Sequence, residues 1–239
     1  MKVAILYSGG KDSTLAIDYA LKNKYQIQYL LSVKPTRTDC YLFHFATVEH
    51  TKEIANILNI PHLLISCSIA DPEKEAQLIK EIVEKQSKID ALILGGTGLQ
   101  VTQIASIQKA LKPLNIEVFA SHSGEDHDKV FESLIKRGYE IIITQIASQG
   151  LKNWLGKTLT KDSFQELKKD SIKYGFHIGG EGGYFDTLVL DAPFFDKKLT
   201  ILDSKIIMES KYCGYLKINK LDLIEKQTIN FFSNNNQKI

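Results

Sequence analysis

Short, continuously apolar runs alternate with amphipathic segments through the first 145 residues, and this alternation restricts the fold more than any other feature. The apolar runs are Val3–Tyr7, Ile27–Val33, His62–Ser66, Ala91–Leu94, Glu117–Ala120 and Glu140–Thr144. The amphipathic segments are Thr14–Lys22, Val48–Leu58, Glu73–Lys88, Val101–Leu111 and Asp126–Arg137. Apolar runs of this kind are typical of parallel strands that are buried on both faces. The alternation predicts an α/β fold with a doubly wound parallel sheet and right-handed crossovers.

The pattern changes after about residue 146. A helical segment, Asp162–Tyr174, is followed by the Gly-rich sequence GGEGG and by alternating runs within DTLVL and LTILDSKIIMESKYCGYLKI. Alternation of polar and apolar residues between turns is typical of antiparallel hairpins. We therefore expect an α/β domain over residues 1–122 and a smaller α+β subdomain over residues 123–239.

Composition and charge argue against several classes of protein. The 30 basic and 28 acidic residues are spread along the chain, so there is no strong signal for nucleic-acid binding. The sequence shows neither a signal-peptide pattern nor a long apolar run, and its three cysteines lack the spacing of a disulfide framework or a zinc site. These features predict a cytoplasmic protein without a membrane partner. The oligomeric state is open, with a homodimer as one option.

The sequence SGGKDS, residues 8–13, lies between the first apolar run and the first helical segment. A Gly-rich turn that enters a helix binds anions, because unpaired N–H groups and the helix dipole both face the ligand. Ser8 and Ser13 offer hydroxyl donors, and Lys11 offers a positive charge. Gly9 and Gly10 let the backbone approach an anion. Both glycines are expected to allow positive φ. The sequence therefore predicts a phosphate site at the carboxyl edge of the sheet.

Other interpretations of SGGKDS are restricted by spacing. The sequence fits neither the Walker loop nor the dinucleotide fingerprint G-x-G-x-x-G. The structural alternative is an ordinary turn in which Asp12 caps a helix that begins at Ser13.

Two stretches of the chain resemble known families. SGGKDS resembles the pyrophosphatase loop S-G-G-x-D-S of N-type ATP pyrophosphatases at all six positions. GGEGGYFDTLVLDAPFF, residues 179–195, is similar to the signature E-G-G-E-[FY]-[EH]-T-x-V-L-D-x-P of diphthine–ammonia ligases. YLFHF (41–45) and GLKNWLGKTL (150–159) agree with the same family, and the resemblance spans residues 1 to about 205. Tyr184 stands where the signature has glutamate, and Asp186 where it has glutamate or histidine.

This resemblance implies a nucleotide-binding α/β domain with a smaller substrate domain. It implies an ATP-dependent ligase that amidates the diphthine carboxylate of the translocating elongation factor with ammonium. ATP, with Mg²⁺, would form an acyl-adenylate and release AMP and pyrophosphate, because a free carboxylate has no usable leaving group. Two alternatives stay open. One is an ATP pyrophosphatase acting on another carboxylate or on an RNA base, and the other is a nucleotide-binding protein without catalysis.

The resemblance and the position of the loops also suggest roles for single residues. The nucleotide would be bound by Ser8, Gly9, Gly10, Lys11, Asp12, Ser13, Gly96, Thr97 and Gly98. The catalytic candidates are Lys11, Asp12, Glu181 and Asp186. The substrate would contact His44, Gly182, Gly183, Tyr184 and Thr187.

The acidic candidates have more than one interpretation. Asp12 is either a helix cap or a ligand of Mg²⁺, which prefers oxygen ligands. Glu181 and Asp186 would hold or deprotonate ammonium, or orient a metal ion. His122 and His127, near the expected domain junction, receive no role from the sequence.

Overall fold

The computed structural model describes residues 1–36, 47–95 and 101–226, with the backbone alone for residues 101–103. The strands are β1 (Lys2–Leu6), β2 (Gln26–Pro35), β3 (His62–Cys67), β4 (Ala91–Leu94), β5 (Glu117–Ala120), β6 (Glu140–Ala147), β7 (Thr158–Leu159), β8 (Phe185–Asp191), β9 (Lys197–Met208) and β10 (Cys213–Glu225). The helices are α1 (Lys11–Lys22), α2 (Thr51–Ile57), α3 (Pro72–Val83), α4 (Val101–Leu111), α5 (His127–Lys136) and α6 (Lys161–Tyr174).

The first five strands form a parallel sheet in the order β3-β2-β1-β4-β5. Helices α1 and α2 cover one face, where Ile17 and Ile54 join the core cluster of β1. Helices α3 and α4 cover the other face, where Ile79 and Leu111 join a second cluster. The predicted doubly wound α/β sheet is thus confirmed. Its central strand, β1, leads directly into SGGKDS at the carboxyl edge.

The remaining strands form an antiparallel sheet, in which β6 pairs with β7, β8 and β10, and β10 pairs with β9. The expectation that residues 140–144 extend the parallel sheet is wrong, because these residues belong to β6 in the antiparallel sheet. Ile141, Ile142 and Ile143 are all buried. A strand that is covered on both faces has a continuous apolar sequence in either kind of sheet, so the run itself does not reveal the strand's direction.

One apolar cluster joins the two sheets. It contains Ile5 of β1, Ile17 of α1, Phe131 of α5 and Leu188 of β8. This shared core holds β8 against the loop that follows β1. The division into domains at residue 122 stays a prediction. Of the helices in the described ranges, none combines the length and the apolarity needed to cross a membrane.

Candidate active site

The helix after SGGKDS begins earlier than the sequence suggested. Helix α1 starts at Lys11, and Gly10 is its N-cap residue, with an extended backbone (φ −75°, ψ 170°) and no side-chain cap. The interpretation of Asp12 as the cap of a helix that begins at Ser13 is therefore wrong. Asp12 lies inside the first turn, where its negative charge interacts favourably with the helix dipole.

The two glycines of the loop differ in their backbone. Gly9 has a φ of +83°, which an L-residue rarely adopts, whereas Gly10 does not, so the expectation of positive φ holds for Gly9 alone. Gly10 is restricted by space instead, because a methyl group there would lie 3.2 Å from the carbonyl oxygen of Thr187. A methyl group on Gly95, after β4, would lie 2.5 Å from the Ser13 amide nitrogen. The loop is thus enclosed by β8 on one side and by the end of β4 on another.

Two hydrogen bonds join the loop to β8. The Lys11 amide donates to Thr187 Oγ1 at 3.1 Å, and the Val189 amide donates to the Gly9 carbonyl at 2.9 Å. The first of these bonds satisfies one of the N–H groups that the first turn of a helix leaves unpaired. Thr187 therefore directly supports SGGKDS, residues 8–13, which we call the phosphate loop after its predicted ligand. Its predicted contact with the substrate stays a prediction.

Replacing Thr187 by valine is expected to lower the free energy of unfolding by roughly 1–3 kcal/mol, because valine has the shape of threonine but leaves the buried Lys11 amide unpaired. Urea denaturation measures the change. Thr187→Ser is the matched control, since serine keeps the acceptor. If both variants lose the same stability, the methyl group rather than the hydrogen bond holds the loop.

Lys11 and Asp12 form a largely buried ion pair. Lys11 Nζ lies 2.7 Å from Asp12 Oδ2, and the side chains are 7% and 22% exposed. Lys11 Nζ also lies 5.3 Å from the centroid of the Phe131 ring, a cation–π contact with α5. These contacts hold the positive charge at the start of α1, where an incoming phosphate would meet it.

The two serines hold the ends of the loop together. The Ser8 amide donates to Ser13 Oγ at 3.2 Å, and the two hydroxyl oxygens are 3.2 Å apart. Ser13 Oγ in turn donates to the Gly10 carbonyl at 3.1 Å. The loop is thus a closed turn.

Three histidines form a row beside this loop. The ring centroids of His122 and His127 are 5.5 Å apart, and those of His127 and His177 are 5.8 Å apart. At one end His122 Nε2 lies 3.7 Å from Asp12 Oδ1, and in the middle His127 Nδ1 lies 3.4 Å from Glu181 Oε1. The row connects the phosphate loop with the Gly-rich loop.

Sequence reasoning missed this row. His122 and His127 had no third partner within the sequence, because the partners lie far along the chain. His177 stands two residues before Gly179 in HIGGEGG, with no partner nearby in the sequence. That proximity to a Gly-rich loop was the one signal that could have identified it.

The outer histidines of the row are neutral at neutral pH. Burial lowers the pKa of His122, against the opposing effect of the Asp12 carboxylate. Burial also lowers the pKa of His177, against the opposing effect of Glu181. The Gly179 amide donates to His177 Nδ1 at 3.1 Å, so the neutral ring carries its proton on Nε2. Among the described residues, no hydrogen-bond partner reaches the buried His122 Nε2.

The Gly-rich loop carries the remaining substrate candidates. Glu181 is 7% exposed, and Gly182 and Gly183, with φ of +87° and +79°, form the bend that follows it. Tyr184 packs, partly buried, against the shared core. The structure thus presents Glu181 beside the histidine row, whereas the substrate roles of the other three residues stay predictions.

Asp186 lies in β8 and points to the face opposite that of Thr187. It precedes Thr187 in β8, and neighbouring side chains of a strand point to opposite faces. Its catalytic role stays a prediction. His44 and residues 96–98 lie outside the described residues.

Metal binding is restricted by the donors that the structure brings together. In residues 1–36, 47–95 and 104–226, no group of three His, Cys, Asp or Glu side chains is arranged to hold a metal ion. Mg²⁺ in nucleotide sites commonly takes one or two carboxylates and completes its shell with phosphate oxygens and waters. Asp12, at the phosphate loop, fits such a single-carboxylate site.

Comparisons with known proteins show which family the chain resembles. The Diphthamide synthase N-terminal domain matches residues 1–118, and the Diphthamide synthase C-terminal domain matches residues 126–224. The diphthine–ammonia ligase of Mus musculus is 28% identical over 253 residues, covering 95% of this chain and 94% of that protein. The diphthine–ammonia ligases of Homo sapiens and Danio rerio are 27% and 26% identical to this chain. The matched regions cover 94% and 99% of those two proteins. The chain belongs to the diphthamide synthase family.

Proposed function

We propose that this chain is an ATP-dependent ligase that converts the diphthine carboxylate of the translocating elongation factor to its amide with ammonium. The observation that carries the proposal is the bond from the Lys11 amide to Thr187 Oγ1, which joins the phosphate loop to the strand of the Gly-rich loop. An activating site and an acceptor site in direct contact are what a two-step ligase requires. The substrate class is taken from the related diphthine–ammonia ligases.

The first step takes place at SGGKDS. The carboxylate attacks the α-phosphate of ATP, and negative charge moves onto the departing pyrophosphate. The Lys11 ammonium group and the amides that follow the Lys11 amide in the first turn of α1 stabilise this charge from fixed positions, so little reorganisation is needed as the charge develops. Gly9 and Gly10 keep side chains away from the phosphates. Gly96, Thr97 and Gly98, which follow β4 along the chain, are proposed to contact the nucleotide.

Asp12 is proposed to hold Mg²⁺ together with the phosphate oxygens. Bound there, the ion would neutralise part of the phosphate charge. Asp12 Oδ2 lies 2.7 Å from Lys11 Nζ, so the same carboxylate also orients the lysine.

The second step takes place at the Gly-rich loop. Glu181 is a buried carboxylate at the histidine row, and its negative charge attracts a small cation such as ammonium. The bend at Gly182 and Gly183 leaves backbone without side chains beside Glu181, which gives a bulky acceptor room to approach. His44, Tyr184 and Asp186 are proposed to contact the acceptor.

ATP consumption is expected to yield AMP and pyrophosphate rather than ADP and phosphate, because the acceptor carboxylate attacks the α-phosphate. The assay supplies purified elongation factor carrying diphthine, ATP, Mg²⁺ and ammonium. Chromatography identifies the nucleotide product, and mass spectrometry follows the modified histidine of the acceptor. Elongation factor without diphthine is the control.

Different results would point to different functions. ADP as the main nucleotide product would exclude the adenylating ligase. AMP formation with another acceptor, while diphthine stays unchanged, would favour an ATP pyrophosphatase with a different substrate. ATP binding without turnover under every condition would favour a non-catalytic nucleotide-binding protein.

A further inference from the structure

We propose that His127 is the base that takes a proton from the ammonium substrate, and that Glu181 positions it for this task. The inference rests on the proposed ligase function, because a reaction with ammonium is what requires such a base. Ammonium has no lone pair, so its nitrogen must lose a proton before it attacks a carbonyl carbon. The group that removes this proton has to lie beside the Gly-rich loop, where the acceptor is proposed to bind.

His127 occupies this position because of how α5 begins. It is the first residue of the helix, and Asp126 caps the helix by accepting a hydrogen bond from the Asp128 amide at 3.0 Å. A methyl group on Gly179 would lie only 3.1 Å from His127 Cβ, so the Gly-rich loop runs directly against the helix start. The imidazole is therefore held between a capped helix and the loop that carries Glu181.

The contact with Glu181 determines which ring nitrogen can accept a proton. His127 Nδ1 lies 3.4 Å from Glu181 Oε1, and the two side chains are 14% and 7% exposed. A carboxylate oxygen only accepts hydrogen bonds, so it pairs with the tautomer that carries its proton on the nitrogen facing it. Nε2, on the far side of the ring, then carries the lone pair. Hydrolase triads use a carboxylate to orient a histidine in the same way.

The other charged and titratable groups around His127 do not oppose the binding of one additional positive charge. His122 and His177 flank the ring, and burial lowers the pKa of each, so both are neutral. The charge of Lys11 also lowers the pKa of both flanking rings, whereas Asp12 raises that of His122, and Glu181 and Asp128 raise that of His177. The two flanking imidazoles therefore add no positive charge beside His127, and Glu181 supplies a negative one.

His122 Nε2 provides an independent indication of a ligand here. The atom is buried, the residue is 2% exposed, and within the described part of the chain it has no hydrogen-bond partner. A buried polar atom without a partner destabilises the folded protein. Because Asp12 Oδ1 lies 3.7 Å from this nitrogen, Nε2 carries the proton of the neutral ring, and an oxygen of the acyl group that ammonium attacks would satisfy it.

The proposed step balances as follows. Ammonium gives one proton to His127 Nε2, and the nitrogen's freed electron pair forms the C–N bond to the adenylated carboxyl carbon. The bond between that carbon and the bridging oxygen breaks, and AMP leaves with the electron pair. The nitrogen releases a second proton to solvent, and His127 later returns its own proton to solvent.

The test compares ammonium with hydroxylamine, a nucleophile that is largely unprotonated at neutral pH and needs no base. In His127→Gln, kcat/KM for ammonium is expected to fall about 10²- to 10³-fold relative to kcat/KM for hydroxylamine. Both nucleophiles attack the same adenylated carboxyl group. A loss of folded protein or of adenylation therefore lowers both kcat/KM values equally and does not change their ratio. Glu181→Gln should shift the ratio in the same direction by less. His50→Gln is the matched control, since His50 Nε2 lies 4.0 Å from Glu49 Oε1 in another part of the chain.

The pH profile is a second readout. In His127→Gln, kcat/KM for total ammonia should rise about tenfold per pH unit through the neutral range, because the variant depends on free ammonia. The unmodified protein should show a flatter profile. Equal losses for both nucleophiles, or an unchanged slope, would overturn the assignment of His127. If the unmodified protein forms neither amide nor hydroxamate from diphthine, the proposed function fails, and the base assignment fails with it.

Discussion

Replacing Lys11 by methionine is expected to lower kcat for AMP formation by about 10²- to 10³-fold while weakening ATP binding much less. Methionine keeps an apolar chain over the Phe131 ring, so the change mainly removes the charge. In the proposed mechanism the charge of Lys11 would interact most strongly with the pyrophosphate as it departs, so turnover would suffer more than ground-state binding. Pyrophosphate release and ATP titration measure the two quantities separately.

Lys22→Met is the matched control for this experiment. Lys22 lies in the last turn of the same helix, its side chain is 60% exposed, and its ion pair is with Asp18 rather than Asp12. Its replacement should change neither quantity measurably. If Lys11→Met weakens ATP binding and turnover by the same factor, Lys11 contributes uniform binding, and its proposed role in the transition state is wrong.

Replacing Phe131 by alanine is expected to lower the free energy of unfolding by about 3–5 kcal/mol. The ring is fully buried in the core that joins the two sheets, and it packs edge-to-face on Phe164 with centroids 5.0 Å apart. A loss of this size is a large fraction of the total stability of a typical domain. Urea denaturation followed by circular dichroism measures it.

Phe131→Leu separates volume from aromatic character. Leucine fills most of the space, so it should cost clearly less than alanine, but it removes the ring below Lys11 Nζ. A loss of less than about 1 kcal/mol for Phe131→Ala would mean that the two sheets do not depend on this shared core.

Some features of this protein follow from its sequence because they depend on neighbouring residues. The parallel sheet is predictable, since the runs that form β1 to β5 are apolar without alternation and are separated by helical spacing. SGGKDS also predicts its own conformation at Gly9, where positive φ requires glycine. The hairpin of β9 and β10 follows from alternation and an intervening turn.

Other features required the tertiary structure. Whether residues 140–144 join the parallel or the antiparallel sheet depends on which strands approach, because the sequence of a strand that is buried on both faces is the same in either sheet. The start of α1 was placed too late, because the extended backbone of Gly10 and the bond to Thr187, 176 residues away, complete its first turn. Local propensity contains no information about such a contact.

The candidate site divides in the same way. Lys11 and Glu181 could be chosen from the sequence because each lies in a Gly-rich loop with a readable pattern. The row of His122, His127 and His177 could not, because no spacing along the chain brings the three rings together. Only the packing of the start of α5 against the loop at Gly179 brings them together beside Asp12 and Glu181, and such packing depends on contacts between residues that are distant in sequence.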